Sequence, residues 1–394
     1  MKTYGLIGLS TAIALVLAAC SEPSHEYTMA DAEEAYADVE YERVAEILGY
    51  LAEDGEPLAQ YRLGMMHLNG IGVTADEAVA IEWLERARAS GYDAAGDELE
   101  TIYLDHAQST EDLEAGAAWY QRAAELGSVD AKAVLGSYYL TGSVLEQDIP
   151  LAVQYITEAA EGGDIRAQSN LGYMYLQGVG VQRSDAEAFR WYYQAAEGGL
   201  VRAQSVVGML YETGRGTEAN VPEAMRWYLN AESEGAPGVA ARLGALLVAG
   251  EIEPPADIDT VAWVAEAARS GVDGAETWLV NEADGGNARA ITQLAEFYEE
   301  GEVLPQNSAR ALDYYRRAAE AGVPAAQLAF SRRLASGNGV EQDYIAAHMW
   351  ANLAAAGGAE GARDQRDVVA RFLSPEDLQR AQEMASAWRE ARPQ

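Results

Sequence analysis

The sequence predicts an all-α protein, an α/α solenoid of paired helices, on three observations. The first is a fixed period. An aromatic residue is followed eight positions later by Gly at Trp83/Gly91, Trp119/Gly127, Tyr155/Gly163, Trp191/Gly199, Trp227/Gly235, Trp263/Gly271, Trp278/Gly286, Tyr314/Gly322 and Trp350/Gly358. Gly positions from 55 to 271 stand 36 residues apart, and 286, 322 and 358 resume that spacing. A period of this length marks stacked repeats, each of which buries its apolar face only against its neighbours. The second is helical spacing inside one period. Ala167, Leu171 and Tyr175 share one face of a first helix, helix A, and Ala188, Trp191 and Ala195 share one face of a second, helix B. The third is a periodic helix start: Asp76, Asp112, Asp148, Ser184, Asn220, Asn307 and Asp343 recur where helix B begins, and each side chain suits the capping of an orphan N–H.

Each element of a repeat follows from its residues. Gly178 and Gly180 supply the backbone freedom for the turn between A and B, and Gly198–Gly199 end helix B. The Gly-x-Gly turns at 70/72, 178/180, 214/216 and 337/339 lack the third Gly or the Lys-Ser/Thr ending of a phosphate cradle, so they read as structural turns. Ala256 breaks the cap series, and Asp257 is expected to substitute. Gly64, Gly136, Gly172, Gly208 and Gly244 recur inside helix A, where each costs about 1 kcal/mol relative to Ala. Their recurrence predicts that helix A approaches a neighbour too closely for a side chain.

The run Ala167-x3-Leu171-Gly172-x2-Tyr175-x2-Gly178, then Asp/Ser-x3-Ala, Trp and Ala-Ala-x-x-Gly, resembles the Sel1-like repeat proteins, α/α solenoids related to tetratricopeptide arrays. The resemblance covers residues 30 to 390. It implies an adaptor scaffold that binds other proteins or peptides, with A helices lining a concave surface.

Taken in order, the chain opens with a lipoprotein signal peptide, residues 1–19, whose apolar run Leu6 to Leu17 is too short for a comfortable spanning helix. Leu17-Ala18-Ala19-Cys20 resembles the bacterial lipobox, which makes Cys20, the only Cys in the chain, the lipid attachment residue. Ser21 follows rather than Asp, so by resemblance to bacterial lipoproteins the expected location is the outer membrane, facing the periplasm. Residues 20–29 are the tether. Residues 30–271 are the repeat array, opened by an incomplete unit with Ile47 at the aromatic position. Its second repeat is degraded: Glu100 replaces the helix-A Gly and His106 the turn Gly, which predicts loose packing at 96–112. Residues 272–289 are an irregular partial repeat. Gly271 and Gly286 are only 15 apart, as though 21 residues of helix A and turn were lost, so two B-type helices are expected in succession with a kink near 271–290. Repeats resume over 290–358. Residues 359–394 are capping helices, the last announced by Ser374-Pro375-Glu376-Asp377.

A formal net charge of −36 argues against nucleic acid and against extended contact with an anionic membrane. The membrane is met through the N-terminal lipid alone. Only Lys2 and Lys132 are lysines, so the remaining positive charge is Arg, suited to carboxylate pairs between helices. Of the four His, His25 lies in the tether and His67, His106 and His348 are isolated; none has a second His at i+4, so no helical zinc pair is read, and no metal, cofactor or catalytic constellation is assigned. Helix-A positions pointing away from the core give a candidate partner-binding groove: Tyr61, Arg62, Met65, Asn170, Tyr173, Val206 and Met209. The function read from these features is a non-enzymatic scaffold for a protein or peptide of the cell envelope. The alternative is a cell-wall or β-lactam hydrolase, by analogy with secreted, cysteine-rich relatives whose paired cysteines this chain lacks.

Overall fold

The computed structural model describes residues 27–392. The expected signal peptide, Cys20 and His25 lie outside the described residues. The chain divides between Gln147 and Asp148 into two compact units. The first holds α1 (Met29–Ala37), α2 (Tyr41–Glu53), α3 (Pro57–Asn69), α4 (Glu77–Ala89), α5 (Ala94–Ser109), α6 (Leu113–Leu126) and α7 (Val129–Thr141). The second holds α8 (Ile149–Glu161), α9 (Ile165–Gln177), α10 (Asp185–Glu197), α11 (Val201–Thr213), α12 (Val221–Ser233), α13 (Val239–Val248) and α14 (Thr260–Arg269). It continues with α15 (Ala275–Asp284), α16 (Ala288–Glu300), α17 (Ser308–Glu320), α18 (Pro324–Ser336), α19 (Tyr344–Ala356), α20 (Ala362–Ala370) and α21 (Pro375–Glu390). The described residues are helices and connections without a strand, the all-α solenoid architecture the period predicts.

Within each unit A helices pack on the B helix that follows, as α3 on α4, α9 on α10 and α11 on α12, and B helices pack on the next A, as α2 on α3 and α10 on α11. All seven predicted cap side chains accept a backbone N–H at the start of their B helix. Asp257 does not substitute in the eighth. The Ile258 N–H bonds the Pro255 carbonyl, which folds residue 257 into a turn, and α14 starts only at Thr260 without a side-chain cap.

The glycines of helix A do mark a close approach. A Cβ on Gly208 would stand 2.7 Å from the Tyr228 ring. The ring that fills this space is one residue beyond the aromatic that defines the period. Trp191, Trp227, Trp263 and Trp350 are buried, but Trp83, Trp119, Tyr155, Trp278 and Tyr314 are only half-buried. The next residue, Leu84, Ile156, Tyr192, Tyr228, Val264, Leu279, Tyr315 or Ala351, is buried in each of those repeats except the second. Neighbours on a helix are rotated by about 100°, so both cannot face helix A. Three of the second glycines of the turns are equally constrained: a Cβ on Gly180 would meet Ile149 Cγ2 at 2.5 Å, and one on Gly72 or Gly216 would collide with the Tyr41 or Asp185 carbonyl.

The second repeat is not loose. With His106 in place of the turn Gly, α5 continues to Ser109 and buries Ala95, Leu99, Ile102, Tyr103 and Ala107. The close approach moves to Gly116 of α6, where a Cβ would stand 3.0 Å from the Ala107 carbonyl. The irregular segment also differs from a plain B helix. α15 buries Ala275, Leu279 and Ala283. Ala275 and Leu279 follow Gly271 as Ala203 and Val207 follow Gly199, which is helix-A register, whereas Ala283 precedes Gly286 as Ala196 precedes Gly199, which is helix-B register. One short helix thus begins as A and ends as B, and Trp278 is left half-exposed. At the C-terminus Ser374 caps α21 as predicted, and Trp388 packs edge-on against Trp350, ring centroids 5.9 Å apart.

A recurrent bond not foreseen from the sequence joins successive repeats. Buried Gln60, Gln168 and Gln327, near the start of helix A, donate through Nε2 to the carbonyls of Ala52, Ala160 and Ala319 at 3.0, 3.3 and 3.2 Å. Each adds a second hydrogen bond to a carbonyl at the end of the preceding B helix, which also accepts from the N–H of Gly55, Gly163 or Gly322.

Candidate functional site

The candidate groove residues fall into two groups, one in each unit. Tyr61, Arg62 and Met65 come together in the first unit as walls of one cavity of about 420 Å³. Their placement follows from the repeat. Ala59 and Leu63 bury one face of α3, so residues 61, 62 and 65 fall on the other. Facing them are Ala32, Glu33 and Tyr36 of α1, with Val44 and Leu48 of α2 beneath; Met66, Asn69 and Ile71 complete the walls. The volume and mostly apolar lining lie within the range of binding pockets.

Two local features shape this cavity. α1 is nine residues long where α3 has 13. It ends in a left-handed residue, Val39 (φ 63°), an unusual conformation for a β-branched side chain. The Glu40 N–H then bonds the Ala35 carbonyl, the bond that Asp164 makes to Ala159 after the left-handed Gly163. Tyr36 stands 61% exposed at the mouth, and Arg62 reaches Glu33 at 3.5 Å. The Tyr61 ring packs on Tyr92 with centroids 4.8 Å apart, and burial, then the charge of Glu98, pushes its hydroxyl pKa up.

In the second unit Asn170 accepts from Arg202 at 3.4 Å, and the same guanidinium nitrogen donates to buried Ser169 at 3.2 Å. Tyr173 is 45% exposed. Val206 and Met209 are not free of the core. Both are half-buried and pack on the cluster of Leu210 and Trp227, and Met209 also touches the cluster around Tyr228 and Leu243. Neighbouring repeats close over these side chains, which a single-helix projection does not register.

Some arginines pair between helices, as Arg122 with Glu85 and Arg317 with Asp284, and others pair with a carboxylate three residues away, as Arg190 with Glu187 and Arg226 with Glu223. Glu212 accepts from Tyr228 Oη at 2.9 Å and from Arg242 Nε at 2.8 Å. Glu299 likewise accepts from Tyr315 and Arg333. Burial pushes the Tyr228 hydroxyl up to about 12, so at neutral pH it stays protonated and acts as a donor. These triads link consecutive repeats, and the residue types alone do not reveal them because their members lie 14 to 34 positions apart. His67 is half-buried with an unpartnered Nδ1, His106 stacks on Trp119 at 4.5 Å, and His348 is buried. Among the described residues no group of three or more His, Cys, Asp or Glu could hold a metal ion, and no helix is long and apolar enough to cross a membrane.

Paired helices stapled from repeat to repeat define a repeat scaffold. The chain belongs to the Sel1 repeat family, which matches it at residues 57–92, 106–128, 129–164, 165–200, 201–235, 288–323 and 324–358. The unmatched stretch 236–287 contains the late-starting α14 and the hybrid α15. Among solved structures, a protective antigen of uropathogenic Escherichia coli displaying an SLR fold is 25% identical, covering 89% of this chain and 80% of that one with a TM-score of 0.44. A Sel1 repeat protein from Oxalobacter formigenes is 25% identical, with coverage of 81% and 88% and a TM-score of 0.41. No curated protein sequence matches this one.

Proposed function

We propose that this Sel1-repeat scaffold is a non-enzymatic adaptor, held by a lipid on Cys20 in the bacterial envelope, that gathers a protein or peptide partner on its helix-A surface. The observation that carries the binding part is the meeting of Tyr61, Arg62 and Met65 in one mostly apolar cavity. The leader pattern ending in Cys20 supports the anchor, and absence of the inner-membrane Asp after it supports the outer membrane. A scaffold of this kind acts by raising the local concentration of what it holds, so exposed aromatic and Met contacts matter more than any reactive group. The hydrolase alternative draws no support from the described residues; nitrocefin and peptidoglycan turnover by the purified protein is its direct test.

Affinity purification from membranes tests the adaptor reading. Tyr36→Ala and Tyr173→Ala, both at exposed positions, should each leave the fold intact, and the cavity variant Tyr36→Ala should lose partners that the wild type retains. Identical partner sets for wild type and both variants would count against it. Cys20→Ser should release the protein from membranes or block its processing; unchanged extraction and processing would rule out the anchor.

A further inference from the structure

The cavity of the first unit lies at the end of α1 where that helix is short. α1 has nine residues against 13 in α3, a difference of about one helical turn. Tyr36, one residue before the end of α1, and Asn69 and Ile71, at and just past the end of α3, are all in its walls. Met65 and Met66 of α3 line the space as well. The charge around it is one-sided. Residues 27–72 carry ten Asp and Glu against two Arg, and both Arg are engaged: Arg43 with Glu40 at 3.0 Å and Arg62 with Glu33 at 3.5 Å.

Resting on the adaptor reading above, we propose that this cavity seats one turn of an amphipathic helix from a protein partner, carrying a large aliphatic or aromatic side chain flanked by Lys or Arg. The apolar side chain enters between α1 and α3, over Val44 and Leu48. Its polar flanks meet the acidic surface of α1 and α2. Met65 and Met66 give the walls side chains that reshape around different apolar groups. Carboxylates at the rim select the sign of the partner's charge and speed its encounter. A second copy of this chain is a poor occupant, because at a formal net charge of −36 two copies repel.

The test is fluorescence anisotropy with the full-length chain and three labelled helical peptides, each about four turns long: one of Leu and Lys, one with Glu for Lys, one with Ser for Leu. The Leu/Lys peptide should bind at least about tenfold more tightly than the other two, and its affinity should fall steeply between about 50 and about 300 mM salt. Met65→Glu should weaken it by about tenfold or more. Tyr36→Ala, at a position 61% exposed, should weaken it in the same direction, whereas Leu113→Ala, at a position 59% exposed on α6 and outside the cavity walls, should not. Equal binding of the Lys and Glu peptides, or indifference to both cavity variants, overturns the proposal. A dimer in sedimentation that dissociates on Tyr36→Ala overturns it in favour of self-association. If no peptide binds while Tyr36→Ala still alters the captured partner set, the assigned chemistry fails and the adaptor reading stands.

Discussion

The ring of Tyr192 occupies the space that a side chain on Gly172 would need: a Cβ built there falls 2.7 Å from Tyr192 Cδ2. The ring is fixed by burial on α10, so it cannot give way cheaply. Gly172→Ala should therefore destabilise the second unit by about 1–3 kcal/mol in urea or thermal melts, the usual penalty of overpacking. Gly49, inside α2, is the control: a Cβ added there would have nothing within 4 Å. Gly49→Ala should stabilise by about 0.5–1 kcal/mol, because helix propensity alone acts there.

The bond from Gln168 to the Ala160 carbonyl is expected to contribute modestly. That carbonyl also accepts from the Gly163 N–H at 3.1 Å, so it keeps a partner when the side chain is removed. Gln168→Met should cost about 1 kcal/mol in chemical denaturation. A loss above about 3 kcal/mol would mean that the glutamine organises the whole joint between repeats.

His348 gives the second unit a pH dependence. Burial lowers its pKa, Arg366 lowers it further and Asp367 opposes. The folded state therefore prefers the neutral imidazole. Stability is fully present above the unfolded value of about 6.5 and is lost as pH falls below it, until the depressed folded value is passed. His348→Met should flatten this acid-side loss; melting temperatures of both proteins, measured from about two pH units below that unfolded value to above it, check the effect.

The Tyr228 hydroxyl, pushed up to about 12 by burial, predicts the opposite limb. Its contribution is present below the unfolded value of about 10 and declines as pH rises toward about 12. Tyr228→Phe removes the donor to Glu212 and should flatten the alkaline loss of stability, read by melts across that interval.

Particular residues show how far the sequence reaches. The period of Gly and aromatic, the seven caps and the Ser374 start of α21 depend on contacts within one or two turns of chain, and each could be placed by spacing alone. The helix-A glycines announced a close approach but not its partner: the rings that meet Gly172 and Gly208 are Tyr192 and Tyr228, one residue beyond the periodic Trp191 and Trp227. A repeat marks the position that recurs; only packing shows which of two adjacent side chains faces the partner helix. His106 read as a lost turn and loose structure, yet α5 ran on and Gly116 took over the contact.

The binding surface shows the same division. Projection on a helix correctly put Tyr61, Arg62 and Met65 on one face of α3. That they wall a cavity depends on α1 stopping at Ala37, and that Val206 and Met209 are half-covered depends on the next repeat. The sequence by itself determined the repeat, its helix pairs and its ends, because those rest on hydrogen bonds and apolar spacing between near neighbours. The tertiary structure decided the cavity, the Gln and Tyr–Glu–Arg staples and the A-to-B character of α15, because these arise where separate helices exclude each other's volume and share a single carbonyl or carboxylate.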